Sequence, residues 1–189
     1  MLTTFPFSTT AYSPQFCHAV TFELKKEGAL NSDGTPKPDL GFVDDPTDTG
    51  GQTKGGISQR AFPHLDIASL SLDQIVRFYH ARYWRTAHCA SWPPAVALCL
   101  FDAAIQHGSI TAIKLLQEVS GCKADGKVGP KTRLAVTSID QEYLLSKFFL
   151  RRARFYARII KKNTSQVRFI EGWHNRLADL LNVVWEIKE

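Results

Sequence analysis

Glu27 and the aspartates that follow it are the residues whose types and spacing best suit a chemical step. After Glu27 comes the run Asp44-Asp45-Pro46-Thr47-Asp48-Thr49-Gly50-Gly51-Gln52-Thr53-Lys54-Gly55-Gly56-Ile57. Hydrolysis of a glycosidic bond needs an acid to protonate the leaving oxygen and, in most enzymes, a second carboxylate acting on water or on the anomeric carbon. A glutamate followed by a loop carrying Asp44, Asp45 and Asp48 supplies both. The glycines let backbone approach a sugar chain, and the Thr53 hydroxyl can orient a water. Each piece alone also has a plain structural reading. Glu27 then is an exposed helix-end glutamate, and the run is a turn of turn-forming residues or a calcium loop at Asp44, Asp45 and Asp48, although its spacing does not match an EF-hand.

The elements around these residues follow from caps and periodicity. Ser13-Pro14 reads as an N-cap with proline in the first turn, and Phe16, Val20 and Leu24 recur at helical spacing before Gly28. The helix predicted over 14–27 puts Glu27 on its last turn. Residues 31–56 hold six of the twelve glycines, Pro36, Pro38, Pro46 and five aspartates. So many breakers predict a long ordered loop or a short hairpin region, and such a stretch inside a compact domain usually serves function. Ser71 with Gln74 forms a capping box that opens a helix carrying Ile75, Val76, Tyr79 and Tyr83. Pro93-Pro94 marks the expected boundary between a region 1–92 and a region 93–189. Ala95 to Gln106 is apolar almost all round, so this helix is expected to be buried and the two regions to share a core. Ser109 is expected to cap the next helix, Lys123 to Pro130 to turn, and long helices to cover 140–162 and 167–186. The fold class is mainly α, with a small irregular or β element near 42–58.

Composition narrows the class of protein. The 189 residues are 44% hydrophobic and 22% charged, those of an ordinary globular chain. No stretch reaches the roughly 18 to 20 apolar residues that span a bilayer, and the first residues lack the basic start and apolar run of a signal peptide. A cytoplasmic start is the expectation. Cys17, Cys89, Cys99 and Cys122 are widely spaced and are expected to be buried free thiols. The net charge of +5 suggests an anionic partner without choosing among nucleic acid, lipid and cell wall.

Taken together, the motifs resemble a known family. Glu27-Gly28, the Asp45-Pro46-Thr47-Asp48-Thr49-Gly50-Gly51-Gln52-Thr53 run and Gly56-Ile57 resemble the signature of glycoside hydrolase family 108. Tyr83-Trp84 and Phe101-Asp102 extend the likeness. Leu116-Gln117, Asp125 to Thr132 and Gly172-Trp173-His174-Asn175-Arg176 resemble the associated C-terminal peptidoglycan-binding region. Ala29 stands where the family has a second glycine, and an insertion near Ser32 to Val43 separates Glu27 from the aspartates, which makes the second carboxylate harder to assign by spacing.

The resemblance implies a lysozyme-like α+β fold and a muramidase of the phage endolysin type, acting on bacterial peptidoglycan, with no cofactor, no metal and no nucleic acid. It implies Glu27 as the catalytic acid; Asp48 and Thr53 follow by analogy with the Glu, Asp, Thr order of phage-type lysozymes. Local geometry agrees on Asp48: Asp45 precedes a proline and suits a turn cap or a substrate contact, whereas Asp48 lies just before Gly50-Gly51. Sugar rings stack on aromatic faces, and Tyr79, Tyr83, Trp84, Trp92 and Trp173 are available, with Tyr83, Trp84 and Trp173 the candidates for substrate binding. The helix 147–162 is basic and apolar, which suits contact with anionic membrane or lipopolysaccharide; a solvated basic face over packed apolar residues is its plainer reading. A monomer, made in a host bacterium's cytoplasm and acting on the wall at lysis, is expected. Three other readings stand beside this one: an antibacterial effector toxin with the same chemistry, a non-enzymatic wall-binding or membrane-perturbing protein, and a zinc amidase or peptidase using His80 and His88, against which no His-Glu-x-x-His helix occurs.

Overall fold

The computed structural model describes residues 4–45 and 51–188, the side chain of Lys188 excepted. It divides the chain into two compact units, Met1–Arg82 and Tyr83–Glu189. The first holds α1 (Pro14–Lys26), a two-stranded antiparallel hairpin of β1 (Thr53–Lys54) and β2 (Ile57–Ser58), and α2 (Leu72–Tyr79). The second holds α3 (Pro94–His107), α4 (Ser109–Val119), α5 (Pro130–Thr137), α6 (Gln141–Lys162) and α7 (Ile170–Lys188). The fold is mainly α with a small β element, as expected.

In α1 the Ser13 hydroxyl accepts the Phe16 N–H at 3.2 Å, and Phe16, Val20 and Leu24 are fully buried. The helix closes in a Schellman turn: Ala29 N–H donates to the Leu24 carbonyl at 2.9 Å and Gly28 N–H to that of Lys25 at 3.3 Å. Gly28 takes the left-handed conformation this turn requires, with φ +77. At α2 the Ser71–Gln74 capping box is present, and the helix then passes into a π-helical turn, His80–Trp84. The wider turn shifts the 3.6-residue phase. Trp84, rather than the Tyr83 that regular periodicity selects, therefore goes into the core, at 2% exposure, edge-on against Phe101.

Every residue of α3 from Ala95 to Ala104 is buried, packed against α4, α6 and α7. Two expectations need correction here. Gly108, not Ser109, occupies the cap position of α4; Ser109 is its first helical residue, and its hydroxyl lies 2.6 Å from that of Thr86. The short α5 was not expected, because only Thr132 and Val136 on it are buried and its apolar signal is weak. Its start is organised by Gln117, whose side-chain amide donates to Asp125 Oδ1, the Lys127 carbonyl and Thr132 Oγ1 and accepts from Gly126 N–H.

The second unit also encloses a charge cluster. Asp102 is fully buried, with Arg152 Nη2 at 2.5 Å and Arg176 Nε donating to it at 2.6 Å. Burial alone would raise the Asp102 pKa, but the two guanidiniums outweigh it and hold the carboxyl below the usual range. Tyr156 donates to Gln106 at 2.6 Å beside them. Cys17, Cys89 and Cys99 are buried free thiols, whereas Cys122 is only half-buried. Among the described residues, no helix is long and apolar enough to cross a membrane.

Candidate active site

Glu27 is the C-cap residue of α1, half-buried, with the Schellman turn fixing its backbone. The tip of the β1–β2 hairpin comes up against it. Gly55 and Gly56 have φ of +51 and +77, the two successive left-handed residues of a type I′ turn, and they join Lys54 directly to its partner Ile57. A Cβ placed on Gly56 would stand 2.7 Å from Glu27 Oε2 and 2.5 Å from the Tyr79 hydroxyl oxygen. No side chain fits there. Only glycine lets this backbone lie against both the carboxyl and the phenol, which makes Gly56 part of the seat of Glu27.

Other contacts fix the hairpin tip. The Tyr79 hydroxyl donates to the Gly55 carbonyl at 2.9 Å, and a Cβ on Gly55 would meet Ile75 at 3.0 Å. The insertion between Glu27 and the aspartates is folded into the same arrangement. Lys37 N–H donates to the Ala29 carbonyl, Gly55 N–H to that of Leu40, and Val43 exchanges two backbone hydrogen bonds with Thr53. Gly41 packs on Gly28 so closely that a Cβ would lie 2.6 Å from the Gly28 carbonyl oxygen. Lys25 is tied to this segment through the Ser32 carbonyl at 2.8 Å. Helix end, insertion and hairpin thus hold one carboxyl in a set position beside backbone without side chains, which is what proton donation to a bound chain requires.

The other site candidates are distributed as follows. Thr53 is on β1, half-buried and paired with Ser58, on the hairpin face opposite the buried Ile57. Asp44 and Asp45 are exposed, and Asp44 accepts from the Gln52 side chain at 3.0 Å. Asp48 lies outside the described residues. Tyr83, Trp84 and Trp173 belong to the second unit: Tyr83 is half-buried, Trp84 is a core side chain, and Trp173 is half-buried and stacked on Tyr156 with ring centroids 5.0 Å apart. Tyr79 and Trp92 are 1% and 4% exposed, too buried for a sugar ring to stack on them. The sequence reading missed the closeness of Gly56 and Tyr79 to Glu27; its only signal was a glycine pair between two short strands.

Among the described residues no group of three or more His, Cys, Asp or Glu side chains is disposed to hold a metal ion. His80 instead lies edge-on to the rings of Tyr12 and Phe16.

With this geometry in place, comparison with known proteins gives the class. Residues 21–108 match the family model described as glycosyl hydrolase 108, and residues 111–178 match one described as a predicted peptidoglycan domain. Residues 21–108 thus form a glycosyl hydrolase 108 region beside a peptidoglycan domain, and the chain is a lysozyme-like peptidoglycan hydrolase. The first match runs from α1 through α3 and includes Glu27, the hairpin and Tyr79; the second takes in α5, α6 and most of α4. A solved structure described as that of Brucella abortus SagA is 24% identical, with a TM-score of 0.74 over 91% of this chain and 94% of that one, and shares the fold. No curated protein matches the sequence.

Proposed function

We propose that the chain cleaves the β-1,4 bond between N-acetylmuramic acid and N-acetylglucosamine, with Glu27 protonating the leaving oxygen. Asp48 and Thr53 act on a water at the opposite face of the sugar, so that the anomeric centre is inverted. What chiefly supports this reading is the Glu27 carboxyl, held against the Gly56 backbone within the segment that matches the glycosyl hydrolase model. Asp45 lies along the same loop as a substrate contact. Tyr83 and Trp173, each half-buried, provide rings for sugars, and the burial of Trp84 leaves it a supporting part. In biological terms the reading is an endolysin, made in the cytoplasm of an infected bacterium, that reaches the wall and lyses the cell.

The test is a set of substitutions assayed by clearing of cell-wall suspensions. Glu27→Gln fills the same space but cannot donate the proton, and it is expected to leave less than about a tenth of the activity with the fold intact. Asp48→Asn is expected to cost far more than Asp45→Asn. By NMR the first-formed reducing end is expected as the α anomer. Substantial activity in Glu27→Gln, a milder loss at Asp48 than at Asp45, or a β anomer would move these roles elsewhere.

A further inference from the structure

A cleft of about 640 Å³ lies in the second unit between α4 and α6. Its floor is apolar, with Leu115, Phe155 and Ile159, and its rim carries Lys114, Arg151, Arg158, Lys161 and Lys162 against the one carboxylate of Glu118. Arg151 already engages Glu118 through Nε. Its Nη1 is buried and has no hydrogen-bond partner among the described residues, so the guanidinium keeps an unsatisfied charged donor beside the cleft. Lys114, Arg158, Lys161 and Lys162 are exposed. All the lining residues fall within 111–178, the match to the predicted peptidoglycan domain, and none lies in the unit that carries Glu27.

The geometry points to this cleft as a site for the stem peptide of peptidoglycan rather than for its glycan. The inference rests on the peptidoglycan reading above and adds the part of the polymer that is recognised. A glycan strand offers neutral hydroxyls and flat ring faces, which call for paired polar side chains and exposed aromatic rings. An excess of cations over an aliphatic floor calls for carboxylates together with small apolar groups. The stem peptide supplies both, with an alanine methyl at each end, the free carboxylates of a γ-linked glutamate and a terminal alanine, and between them a diaminopimelate whose own carboxylate and ammonium cancel. The methyls settle on Leu115 and Ile159. The carboxylates meet the exposed Lys114, Arg158 and Lys162, where charge-assisted hydrogen bonds form.

The experiment uses full-length Glu27→Gln protein and the free tetrapeptide L-alanyl-γ-D-glutamyl-meso-diaminopimelyl-D-alanine, titrated by calorimetry, with the soluble peptide-free glycan strands that an amidase releases from sacculi as the second ligand. Binding to the tetrapeptide is expected to weaken about tenfold or more on adding Lys114→Ala, Arg158→Ala and Lys162→Ala. Removing three exposed cations outside the cleft, by Lys123→Ala, Lys131→Ala and Arg154→Ala, is expected to change it less than about twofold. Affinity for the peptide-free glycan strands is expected to change less than about twofold in the cleft variant. Absence of tetrapeptide binding, equal losses in the two triple variants, or a loss of glycan affinity in the cleft variant as large as its loss of peptide affinity would each overturn the assignment. So would a cleft variant that loses affinity for phosphatidylglycerol vesicles but not for the peptide. Release of reducing ends by the unaltered chain reports the hydrolase reading separately, so the failure of one is distinguishable from the failure of the other.

Discussion

Glu27 depends on neighbours that have no chemistry of their own. Gly56 combines a left-handed backbone with a Cβ position that falls on the Glu27 carboxyl and the Tyr79 hydroxyl. Gly56→Ala is therefore expected to lose stability by about 1 to 3 kcal/mol, from strain and displaced neighbours, and to lose activity beyond what that instability explains. Chemical denaturation and wall clearing on the same preparation separate the two effects; an alanine variant with full activity would show that the Glu27 seat is not tight. At this scale the sequence draws attention to a residue through its own type. Glu27 could be singled out because a carboxyl at a helix end, followed by an aspartate run, is a recognisable chemical pair. Gly56 and Tyr79 could not, because their importance lies in a tertiary approach between a hairpin tip and two helices that no local pattern encodes.

Elements were legible where their ends are written in short-range chemistry. Ser13-Pro14, the Ser71–Gln74 box and Gly28 each act within four residues, and the helix ends they predict are found. The π-helical turn at His80–Trp84 was not legible, because it answers to packing around Trp84 rather than to any local preference. Helix α5 was hidden for a similar reason: it is held less by its own apolar residues than by the hydrogen bonds of Gln117 to the turn before it. Gln117→Leu keeps the volume but removes its four hydrogen bonds to this turn and takes the acceptor from the half-buried Gly126 N–H, and it is expected to cost about 1 to 3 kcal/mol. Hydrogen exchange should localise the loss to residues 123–137 and the C-terminal turn of α4. Unchanged protection there would mean that Gln117 does not organise the turn.

Across the whole molecule, electrostatics rather than shape escaped the sequence reading. The Asp102–Arg152–Arg176 cluster joins residues from α3, α6 and α7, and nothing in their spacing announces it. His107, in the same region, is packed edge-on against Phe155 and Tyr156, and burial and the Arg152 charge lower its pKa to about 4. It is neutral in the folded state. Its contribution to stability is present above the unfolded value near 6.5 and is lost as the pH falls toward 4, at about 1.4 kcal/mol per unit. Urea unfolding between pH 7 and 4.5 should show this slope, and His107→Phe should flatten it; an unchanged slope in the variant would place the titration elsewhere.

The +5 net charge predicts a further global property. Hydrolysis of a polyanionic wall should slow as salt rises, because attraction is screened over about 8 Å at physiological ionic strength. A flat salt profile would give that charge another role. The bond that is cut is read by mass spectrometry of digested sacculi. After borohydride reduction, the unaltered chain should yield muropeptides newly reduced at N-acetylmuramic acid, with no anhydro sugars and no new amino termini, and Glu27→Gln should yield less than about a tenth as much. Products reduced at N-acetylglucosamine, anhydro ends, new amino termini, or substantial reduced muramic acid from the Glu27→Gln protein would contradict cleavage of that bond by Glu27.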